Sequence, residues 1–437
     1  MTGREAALQV LTACRRLDAW SDGSLKAAVK GLDRREAAFA TRLTYGVLQN
    51  RALLDFYLGQ YCTQSFEKLE PFVRDVLRIG ACQILMMDRV PDSAAVSEAV
   101  EMVKRHKRQR ASGLVNAVLR KVSQNKENLP PIPSQNKSEY LALKYSHPIW
   151  LVDRLTEILG EREAEEFLRL DNEAVPTTIQ RNPLKCTADE LMGRLAEAGA
   201  TVKQHPWLVD CWELTGMGDL EQMDVFREGW FQVQDAAAKT AALAAGAKPG
   251  DFVLDVCAAP GGKTFACAMA MENRGKIISC DIHSHKLELI ERSAERLGIQ
   301  CVTTALADGR ENRAEWNETF DLVLCDVPCS GLGIIRKKPD IRYKDPKALA
   351  GLPKIQRAIL ENACRYVRSG GTLLYATCTI LPEENDAVVA DFLAAHQEFK
   401  KEPFCIAEGQ EETDGSLTLW PQRHSTDGFY LCKMRKL

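Results

Sequence analysis

The sequence has no long apolar run and no paired cysteine motif. None of its apolar stretches approaches the ~18 residues that a membrane-spanning helix needs. Its first residues lack the basic and then apolar pattern of an export signal. The 15 cysteines among 437 residues are scattered, odd in number and without a Cys-x-x-Cys pair, which argues against a disulfide scaffold or structural zinc. We therefore expect a cytoplasmic protein with no membrane contact and no metal.

An excess of positive charge is also absent. The formal net charge is −3, so binding to nucleic acid has to be argued from local clusters of cations. The first cluster lies between positions 101 and 126, where Glu101 is the one acid, and comprises Lys104, Arg105, Lys107, Arg108, Arg110, Arg120, Lys121 and Lys126. The second comprises Arg336, Lys337, Lys338, Arg342, Lys344 and Lys347. Such clusters are often only solvated surface, but two of them in an otherwise acidic chain favour a polyanionic partner.

Residues 1–124 have helical periodicity throughout. Apolar residues recur at helical spacing over 7–11, 43–54 and 73–80. We expect breaks or new helix starts between these stretches at 21–24, Gly59, Pro71 and 91–93. Residues 125–138 are rich in Asn, Gln, Lys and Pro, which predicts a linker. An all-helical domain with a cation cluster fits an RNA-binding accessory about as well as a purely structural bundle.

The rest of the chain alternates between strand-like and helical stretches. Residues 139–233 predict a small α/β subdomain with strands at 177–181, 201–204 and 212–215. Residues 234–437 predict a catalytic domain with strands at 252–256, 276–280, 301–305, 320–325 and 371–376. Regular alternation predicts a parallel, doubly wound, Rossmann-like sheet. A final pair of strands, at 416–420 and 428–432, predicts an antiparallel addition at one side.

The stretch from Asp255 to Thr264, DVCAAPGGKT, is the clearest candidate for a cofactor site. A strand end, a glycine-containing turn and a helix start let a ligand approach backbone N–H donors. The stretch is not a phosphate-binding P-loop, because Cys257 stands where the first glycine is needed, and it lacks G-x-G-x-x-G. Asp281 follows Gly262 by nineteen positions, about where an acid meets a ribose hydroxyl. S-adenosylmethionine, an adenosine cofactor without pyrophosphate, fits about as well as a plain connection.

The carboxyl ends of the predicted strands bring acids and cysteines together. Ligands of doubly wound sheets bind outside these ends, which hold the turn at 257–262, Asp281, Asp308, residues 326–331 and residues 377–379. A cysteine thiolate at such a place could add to an electron-poor carbon such as C6 of a pyrimidine, which would activate C5 toward a sulfonium methyl group. One cysteine would be an ordinary small hydrophobe. Two cysteines in polar turns favour catalysis, and spacing alone does not rank them.

Three motifs resemble the signature set of the RNA cytosine-C5 methyltransferases. They are DVCAAPGGKT at 255–264, DVPCSGLG at 326–333 with RKKPDIR at 336–342, and YATCT at 375–379. Residues 144–151 also resemble the passage ahead of that family's catalytic region, and residues 1–124 resemble the helical NusB domain. The pairing is similar to the bacterial small-subunit ribosomal RNA enzymes of the Sun/Fmu type. The resemblance covers nearly the whole chain.

The resemblance implies roles for the site residues. The turn that would contact the methionine and sugar of S-adenosylmethionine comprises Cys257, Ala258, Ala259, Pro260, Gly261, Gly262 and Lys263. Asp281 would bind the ribose hydroxyls, and Asp308 would bind the adenine edge. Asp326 would lie between cofactor and base. Cys378 would be the attacking nucleophile, and Cys329 would release the methylated base. Lys263 would also lower a thiolate pKa or steady Asp326.

The implied activity is methylation of C5 of a specific cytosine in 16S ribosomal RNA by a monomeric enzyme. Attack on C6 requires an unstacked base, in a loop or flipped out of a helix. Two alternatives stay open. The motifs do not encode which RNA is bound, so transfer RNA is a second possible substrate. The N-terminal domain alone would suit an RNA-binding factor of the antitermination type, although Asp326, Cys329 and Cys378 argue against a purely binding role.

Overall fold

The computed structural model describes residues 1–17, 21–216, 220–406 and 412–437. They form two compact units. One comprises residues 1–174 and 335–344, and the other comprises residues 175–334 and 345–437. The chain therefore leaves the second unit after Ile334 and returns to it at Asp345. Within the described ranges, no helix is long and apolar enough to cross a membrane.

The first unit is helical. Its helices are α1 (Gly3–Leu17), α2 (Ser21–Ala28), α3 (Arg34–Gln49), α4 (Arg51–Tyr61), α5 (Pro71–Met86), α6 (Asp92–Arg105), α7 (Ser112–Gln124), α8 (Lys137–Lys144), α9 (Ile149–Leu159) and α10 (Glu161–Leu170). Helix α5 is buried around most of its circumference, with Val76, Leu77 and Ile79 fully inaccessible. A helix that is buried on most sides belongs at the centre of its unit, and its buried Arg78 is paired with Asp75.

Three of the four expected positions coincide with helix starts, because α2 begins at Ser21, Pro71 lies in the first turn of α5, and α6 begins at Asp92. The expected break at Gly59 is wrong, because this residue lies inside α4. A glycine costs about 1 kcal/mol in a helix interior. Burial of its apolar neighbour Leu58 outweighs that cost.

The segment at 335–344 is anchored in the first unit by Arg342. This side chain is fully buried, and its Nη1 donates to the carbonyl oxygens of Gln49 and Tyr145, each at 3.1 Å. Nη1 also donates to Oδ1 of Asn172 at 2.9 Å. The interpretation of the second cation cluster as a solvated, RNA-facing patch is therefore wrong for Arg342. Its guanidinium N–H groups donate to buried carbonyl oxygens, and a sequence pattern does not show such contacts.

Replacing Arg342 by methionine is expected to destabilise the first unit. The change keeps an unbranched buried side chain but removes the guanidinium, which leaves several carbonyl acceptors without a donor, so we expect the free energy of unfolding to fall by about 3 kcal/mol. Urea unfolding followed by circular dichroism measures the change. Lys347→Met, at an exposed member of the same cluster, is the control and should be nearly neutral. Equal stability of the two variants would contradict the anchoring role.

The second unit begins with a small antiparallel sheet. Its elements are β1 (Thr177–Arg181), α11 (Ala188–Glu197), β2 (Thr201–Gln204), β3 (Cys211–Thr215), α12 (Asp224–Arg227) and β4 (Phe231–Val233). The strand order is β2-β3-β1-β4, and all pairs are antiparallel. The three predicted strands are confirmed. The three-residue β4 was not predicted because it is too short for an alternating pattern.

A larger mixed sheet follows. Its elements are α13 (Ala236–Ala245), β5 (Phe252–Asp255), α14 (Gly262–Ala270), β6 (Lys276–Asp281), α15 (Ser284–Leu297), β7 (Val302–Leu306), β8 (Phe320–Asp326), α16 (Pro346–Leu349), α17 (Leu352–Ala363), β9 (Val367–Thr377), α18 (Asp386–Ala395), β10 (Phe399–Lys401), β11 (Ser416–Leu419), α19 (Pro421–His424) and β12 (Phe429–Lys436). The five predicted strands and the final antiparallel pair are confirmed, whereas the short β10 was not predicted.

The topology of this sheet places a crevice at the end of β5. The strand order is β10-β12-β9-β8-β5-β6-β7, with β11 paired to β12. Strands β5 to β9 run parallel, and β12 runs antiparallel to β9. The chain moves from β5 to β6 and β7 on one side, and then to β8 and β9 on the other. Ligands of doubly wound sheets bind at such a reversal, outside the carboxyl ends of the strands.

Candidate active site

The seven consecutive residues predicted to contact the cofactor, from Cys257 to Lys263, span the turn after β5 and the start of α14, which begins at Gly262. Gly261 has φ +100° and immediately precedes α14, a conformation that favours glycine. A Cβ atom added there would lie 2.6 Å from the ring of Phe265. The turn is held by a bond from the N–H of Ala258 to the carbonyl oxygen of Cys280, at 2.8 Å. The N-terminus of α14 therefore faces the crevice with its N–H groups.

Asp255 supports this turn from below. Its Oδ2 accepts a hydrogen bond from the hydroxyl of Thr264 at 2.7 Å, and that hydroxyl lies 3.0 Å from Oγ of Ser279. Burial raises the pKa of Asp255 to about 7, with a further contribution from the charge of Asp326. Asp255 is therefore a buried structural group rather than a free acid of the crevice.

Asp281 and Asp308 lie at the ends of adjacent strands. Strand β6 pairs with β7 so that Asp281 lies opposite Leu306, two residues before Asp308. Asp281 Oδ1 accepts from the N–H of His283 at 2.9 Å, and Oδ2 is 3.5 Å from Lys286 Nζ. Asp308 is paired with Arg310, whose hydrogen bond lowers the pKa of Asp308. The two acids border the same edge of the crevice.

The surroundings of Asp281 fit an adenosine group. The next residue, Ile282, has 55% of its surface exposed, an unusual position for an isoleucine. An exposed apolar side chain beside a carboxylate offers a face for a base and an acceptor for ribose hydroxyls. The cation of the neighbouring turn, Lys263, is bound to Asp326 at 2.6 Å. The sequence pattern did not single out Ile282, because its exposure is a property of the folded chain.

Cys329 and Cys378 are brought together by the pairing of β8 with β9. Asp326 lies opposite Ala376 in the register, and the N–H of Val327 donates to the carbonyl oxygen of Ala376 at 3.1 Å. The two cysteines follow these strand ends, and their Sγ atoms are 3.2 Å apart. Both are free thiols of intermediate exposure. The structure thus joins two residues that are 49 positions apart in sequence.

The loop after Cys329 is also fixed by a close contact between two glycines. The N–H of Gly333 donates to the carbonyl oxygen of Cys378 at 3.0 Å, and the N–H of Gly428 donates to the carbonyl oxygen of Gly333 at 2.8 Å. A Cβ atom on Gly333 would lie 1.9 Å from the carbonyl oxygen of Gly428. Only glycine permits this approach. The DVPCSGLG motif therefore ends in a residue that positions the loop rather than one that performs chemistry.

The charges around the two thiols differ. The hydrogen bond between the two thiols lowers the pKa of Cys378 and raises the pKa of Cys329 well above its usual value. Burial and the charge of Asp326 raise the pKa of both thiols. The charge of Lys263 lowers the pKa of Cys378, whereas the charge of Glu384 raises that of Cys329. These directions favour Cys329 as the carrier of the shared proton and Cys378 as the thiolate.

Lys263 and Asp326 form a partly buried ion pair, in which the lysine is buried and the aspartate is partly exposed. Burial opposes the charge of Lys263, but Asp326 and other nearby acids raise its pKa overall. The Nζ atom also lies 4.8 Å from the ring centroid of Phe429. Cys257, by contrast, has its pKa raised well above the usual value by burial and by the charges of Asp255 and Asp326. Its thiol stays protonated, so it contributes packing and backbone groups.

Three family models match the chain. Residues 242–435 match 16S rRNA methyltransferase RsmB/F, residues 1–124 match the NusB family, and residues 147–221 match the ferredoxin-like domain of RsmF/B-like methyltransferases. The chain is 34% identical to the probable ribosomal RNA small subunit methyltransferase B of Bacillus subtilis, over 99% of this chain and 98% of that protein. The chain belongs to the RsmB/F methyltransferase family.

Other comparisons agree over the full length. The probable ribosomal RNA small subunit methyltransferase B of Synechocystis is 33% identical, over 100% of both chains. The crystal structure of PH0851 superimposes with a TM-score of 0.85 at 30% identity, over 99% of this chain and 98% of that one. The predicted family and the Rossmann-like fold with its preceding domains are therefore confirmed.

The chain is thus an RNA methyltransferase, and its methyl donor is S-adenosyl-L-methionine, as predicted. Among the residues that the structure describes, no group of three or more His, Cys, Asp or Glu could hold a metal ion.

Proposed function

We propose that this protein methylates C5 of a specific cytosine in 16S ribosomal RNA, through a covalent bond between Cys378 Sγ and C6 of the base. The supporting observation is the thiol pair at the ends of β8 and β9, where the charge of Lys263 lowers the pKa of Cys378 and the charge of Glu384 raises the pKa of Cys329. The names of the relatives, small-subunit methyltransferase B, support the choice of RNA. We further propose that the protein acts as a cytoplasmic monomer.

The reaction assigns one step to each thiol. The Cys378 thiolate adds to C6, and the electron pair of the C5–C6 bond moves onto C5 and the ring. Asp326, beside the crevice, holds the N3/N4 edge of the cytosine. S-adenosylmethionine, when bound, supplies an electrophilic methyl group on a sulfonium. The C5 proton then passes to Cys329, the C5–C6 double bond forms again, and the bond from C6 to Cys378 breaks.

The proton on Cys329 would seem to prevent its action as a base. The first cause of its raised pKa is the hydrogen bond to Cys378. Once Cys378 has bonded to C6, it no longer accepts this hydrogen bond, and the pKa of Cys329 falls. Cys329 can then release its own proton to solvent, and the thiolate that results takes the C5 proton only after the adduct has formed. This order prevents two thiolates from competing for the base.

The proposed cofactor contacts follow the same edge. We propose that residues 257–263 contact the methionine and sugar, Asp281 the ribose hydroxyls and Asp308 the adenine edge, with Ile282 against the face of the adenine. Asp281→Ala should weaken binding of S-adenosylhomocysteine roughly 30- to 100-fold, because charge-assisted hydrogen bonds are lost. Isothermal titration measures this affinity. Lys286→Met, which removes only a 3.5 Å contact to Asp281, is the control and should have a smaller effect. If the two variants bind S-adenosylhomocysteine with the same affinity, Asp281 does not bind the ribose hydroxyls.

The domain division proposed from the sequence assigns RNA binding to residues 1–124, ahead of the linker at 125–138, the subdomain at 139–233 and the catalytic domain at 234–437. Folding pairs part of the first cation cluster with acids. Lys104 binds Glu101, Arg105 binds Glu5 and Glu98, Arg108 binds Glu70, and Lys126 binds Asp92. Arg120 donates to the side chain of Asn116, a neutral partner. Lys107, Arg110 and Lys121 are exposed and have no acidic partner among the described residues. We propose these three as the cations that contact RNA phosphates.

Reversing these three charges is expected to weaken RNA binding at least roughly 10-fold and to reduce its dependence on salt, by about one unit of slope per lost phosphate contact. Filter binding to 16S ribosomal RNA over a range of salt concentrations measures both quantities. The control reverses Lys30, Arg34 and Arg35, three exposed cations of the same unit. Affinity for S-adenosylhomocysteine should not change in either variant. If both variants lose the same RNA affinity, the loss reflects the net charge of the protein and not contacts made by these three cations.

Transfer of a labelled methyl group tests the choice of RNA. Purified protein and labelled S-adenosylmethionine are incubated with naked 16S ribosomal RNA, with assembled small subunits and with bulk transfer RNA, and the product is digested to nucleosides. We expect 5-methylcytidine in 16S ribosomal RNA. If the label appears only in transfer RNA, transfer RNA is the substrate. If the protein binds RNA but transfers no methyl group, the alternative of an RNA-binding factor is favoured.

A further inference from the structure

A buried carboxylate lies beneath both thiol loops. Glu384 is only 2% exposed and lies between β9 and α18. Its Oε2 accepts from the main-chain N–H of Ser330 at 2.9 Å, and its Oε1 is 3.4 Å from Oγ1 of Thr379. Ser330 directly follows Cys329, and Thr379 directly follows Cys378. One side chain thus contacts the residue after each thiol.

Further hydrogen bonds connect the two thiol loops to each other and to Glu384. The hydroxyls of Ser330 and Thr379 are 2.6 Å apart, and both residues are fully buried. Gln356 Nε2 donates to Glu384 Oε2 at 2.8 Å and to the carbonyl oxygen of Pro328 at 3.1 Å. The loop that contains Cys329 is therefore bound to the carboxylate both directly and through Gln356. Buried polar networks of this kind fix one arrangement of their members.

The backbone of Glu384 is also held. The hydroxyl of Tyr375, on β9, donates to the carbonyl oxygen of Glu384 at 2.6 Å. The next residue, Asn385, accepts from the hydroxyl of Thr377 at 2.6 Å and donates to the carbonyl oxygen of Thr379 at 3.1 Å. The carboxylate therefore has a defined place beneath the thiols, and its identified donors are all neutral groups.

We propose that Glu384 is the positioning residue of the thiol pair: it holds Cys329 and Cys378 within hydrogen-bonding distance and keeps the shared proton on Cys329. This role rests on the proposed function of the two cysteines. Glu384 acts through Ser330 and Thr379 and touches neither thiol by a hydrogen bond in the structure. Its negative charge disfavours a second negative charge on Cys329 and so directs the thiolate to Cys378. The proposal explains why one of two similar cysteines becomes the nucleophile.

Alkylation of the protein without RNA tests this role directly. Wild-type protein is treated with iodoacetamide over a range of pH, and the rates at Cys329 and Cys378 are read from their peptides by mass spectrometry. We expect Cys378 to react first. Glu384→Gln keeps the side-chain volume but removes the charge, so alkylation should be shared between the two cysteines, and methyl transfer should fall roughly 10-fold with an unchanged KM for S-adenosylmethionine.

Glu384→Ala removes the hydrogen bonds as well as the charge. We expect methyl transfer to fall on the order of 100-fold, because displacement of a reacting group by about 1 Å costs that much. Glu383→Ala, at the exposed neighbour, is the control and should match wild type. Circular dichroism and binding of S-adenosylhomocysteine confirm that each variant is folded. If Glu384→Ala does not fold, the results with Glu384→Gln still test the proposal.

Unchanged preference for Cys378 in the Gln variant, with unchanged methyl transfer, would overturn the proposal. The alkylation experiment contains no RNA, so its outcome does not depend on which nucleic acid is the substrate or on whether an adduct forms. If the proposed function is wrong but Glu384 orders the thiols, methyl transfer to 16S ribosomal RNA is absent in wild type while the alkylation preference still shifts in the Gln variant.

Discussion

Replacement of Cys329 by alanine is expected to trap the protein on its RNA. Cys378 keeps Lys263 as its neighbour in this variant, so addition to C6 and methylation of C5 should proceed. Without the second thiol the C5 proton is not removed, and the bond from Cys378 to C6 persists. We expect a covalent protein–RNA complex that survives a denaturing gel, with one methyl group transferred per protein.

Replacement of Cys378 by alanine should give the opposite result. No adduct forms, and methyl transfer should fall by on the order of 10⁴-fold or more, as expected for loss of a nucleophile. Cys405→Ala, which removes an exposed cysteine of the same unit, is the control and should resemble wild type. An adduct with Cys378→Ala but not with Cys329→Ala would reverse the two roles. Absence of an adduct in every variant would exclude covalent catalysis.

The local structure of the segment proposed to hold the cofactor was predictable from sequence because its determinants are local. Residues 255–264 are consecutive, and a turn with Gly261 in a left-handed conformation needs no distant partner to define it. The acids at 281, 308 and 326 were predictable because the alternation of strands and helices places the carboxyl ends of parallel strands at one edge. Neither inference required knowledge of side-chain contacts.

Features that depend on distant partners were not predictable. Arg342 belongs to a stretch with many cations, but its donors satisfy carbonyl groups nearly 200 or more positions away in sequence. Arg108 pairs with Glu70, 38 positions away, so a local count of acids overestimates the free positive charge. Glu384 contacts Ser330 across 54 positions. Such contacts arise only after the sheet has brought the loops together.

The direction of the thiol chemistry is likewise a property of the folded site. Spacing does not distinguish Cys329 from Cys378, since both follow parallel strands. In the structure, Asp326 raises the pKa of both thiols, but Lys263 lowers only that of Cys378 and Glu384 raises that of Cys329. These charges support the same choice of nucleophile, Cys378, that the family resemblance implies. Lys263 belongs to the cofactor turn and yet faces the thiol, so it links the two halves of the site.

Replacement of Lys263 by methionine should therefore reduce methyl transfer about 100-fold at neutral pH. The lysine favours the thiolate form of Cys378, so its removal raises the pKa of Cys378, and the free charge of Asp326 raises it further. When the pKa of Cys378 is higher, a smaller fraction of it is thiolate at neutral pH. That fraction rises again as the pH passes through the new pKa. The rise of activity with pH should therefore move to higher pH.

Single-turnover methylation measured across pH tests this shift. Lys263→Arg keeps a cation at the site and should retain more activity than Lys263→Met at neutral pH, with a smaller shift of the profile. Lys276→Met, at an exposed lysine at the start of β6, is the control. Titration with S-adenosylhomocysteine separates a loss of cofactor affinity from a loss of thiolate. If activity falls by the same factor at every pH, Lys263 acts in cofactor binding alone. A lost stabilisation of the Cys378 thiolate would be offset at high pH, where the thiol loses its proton without help from Lys263.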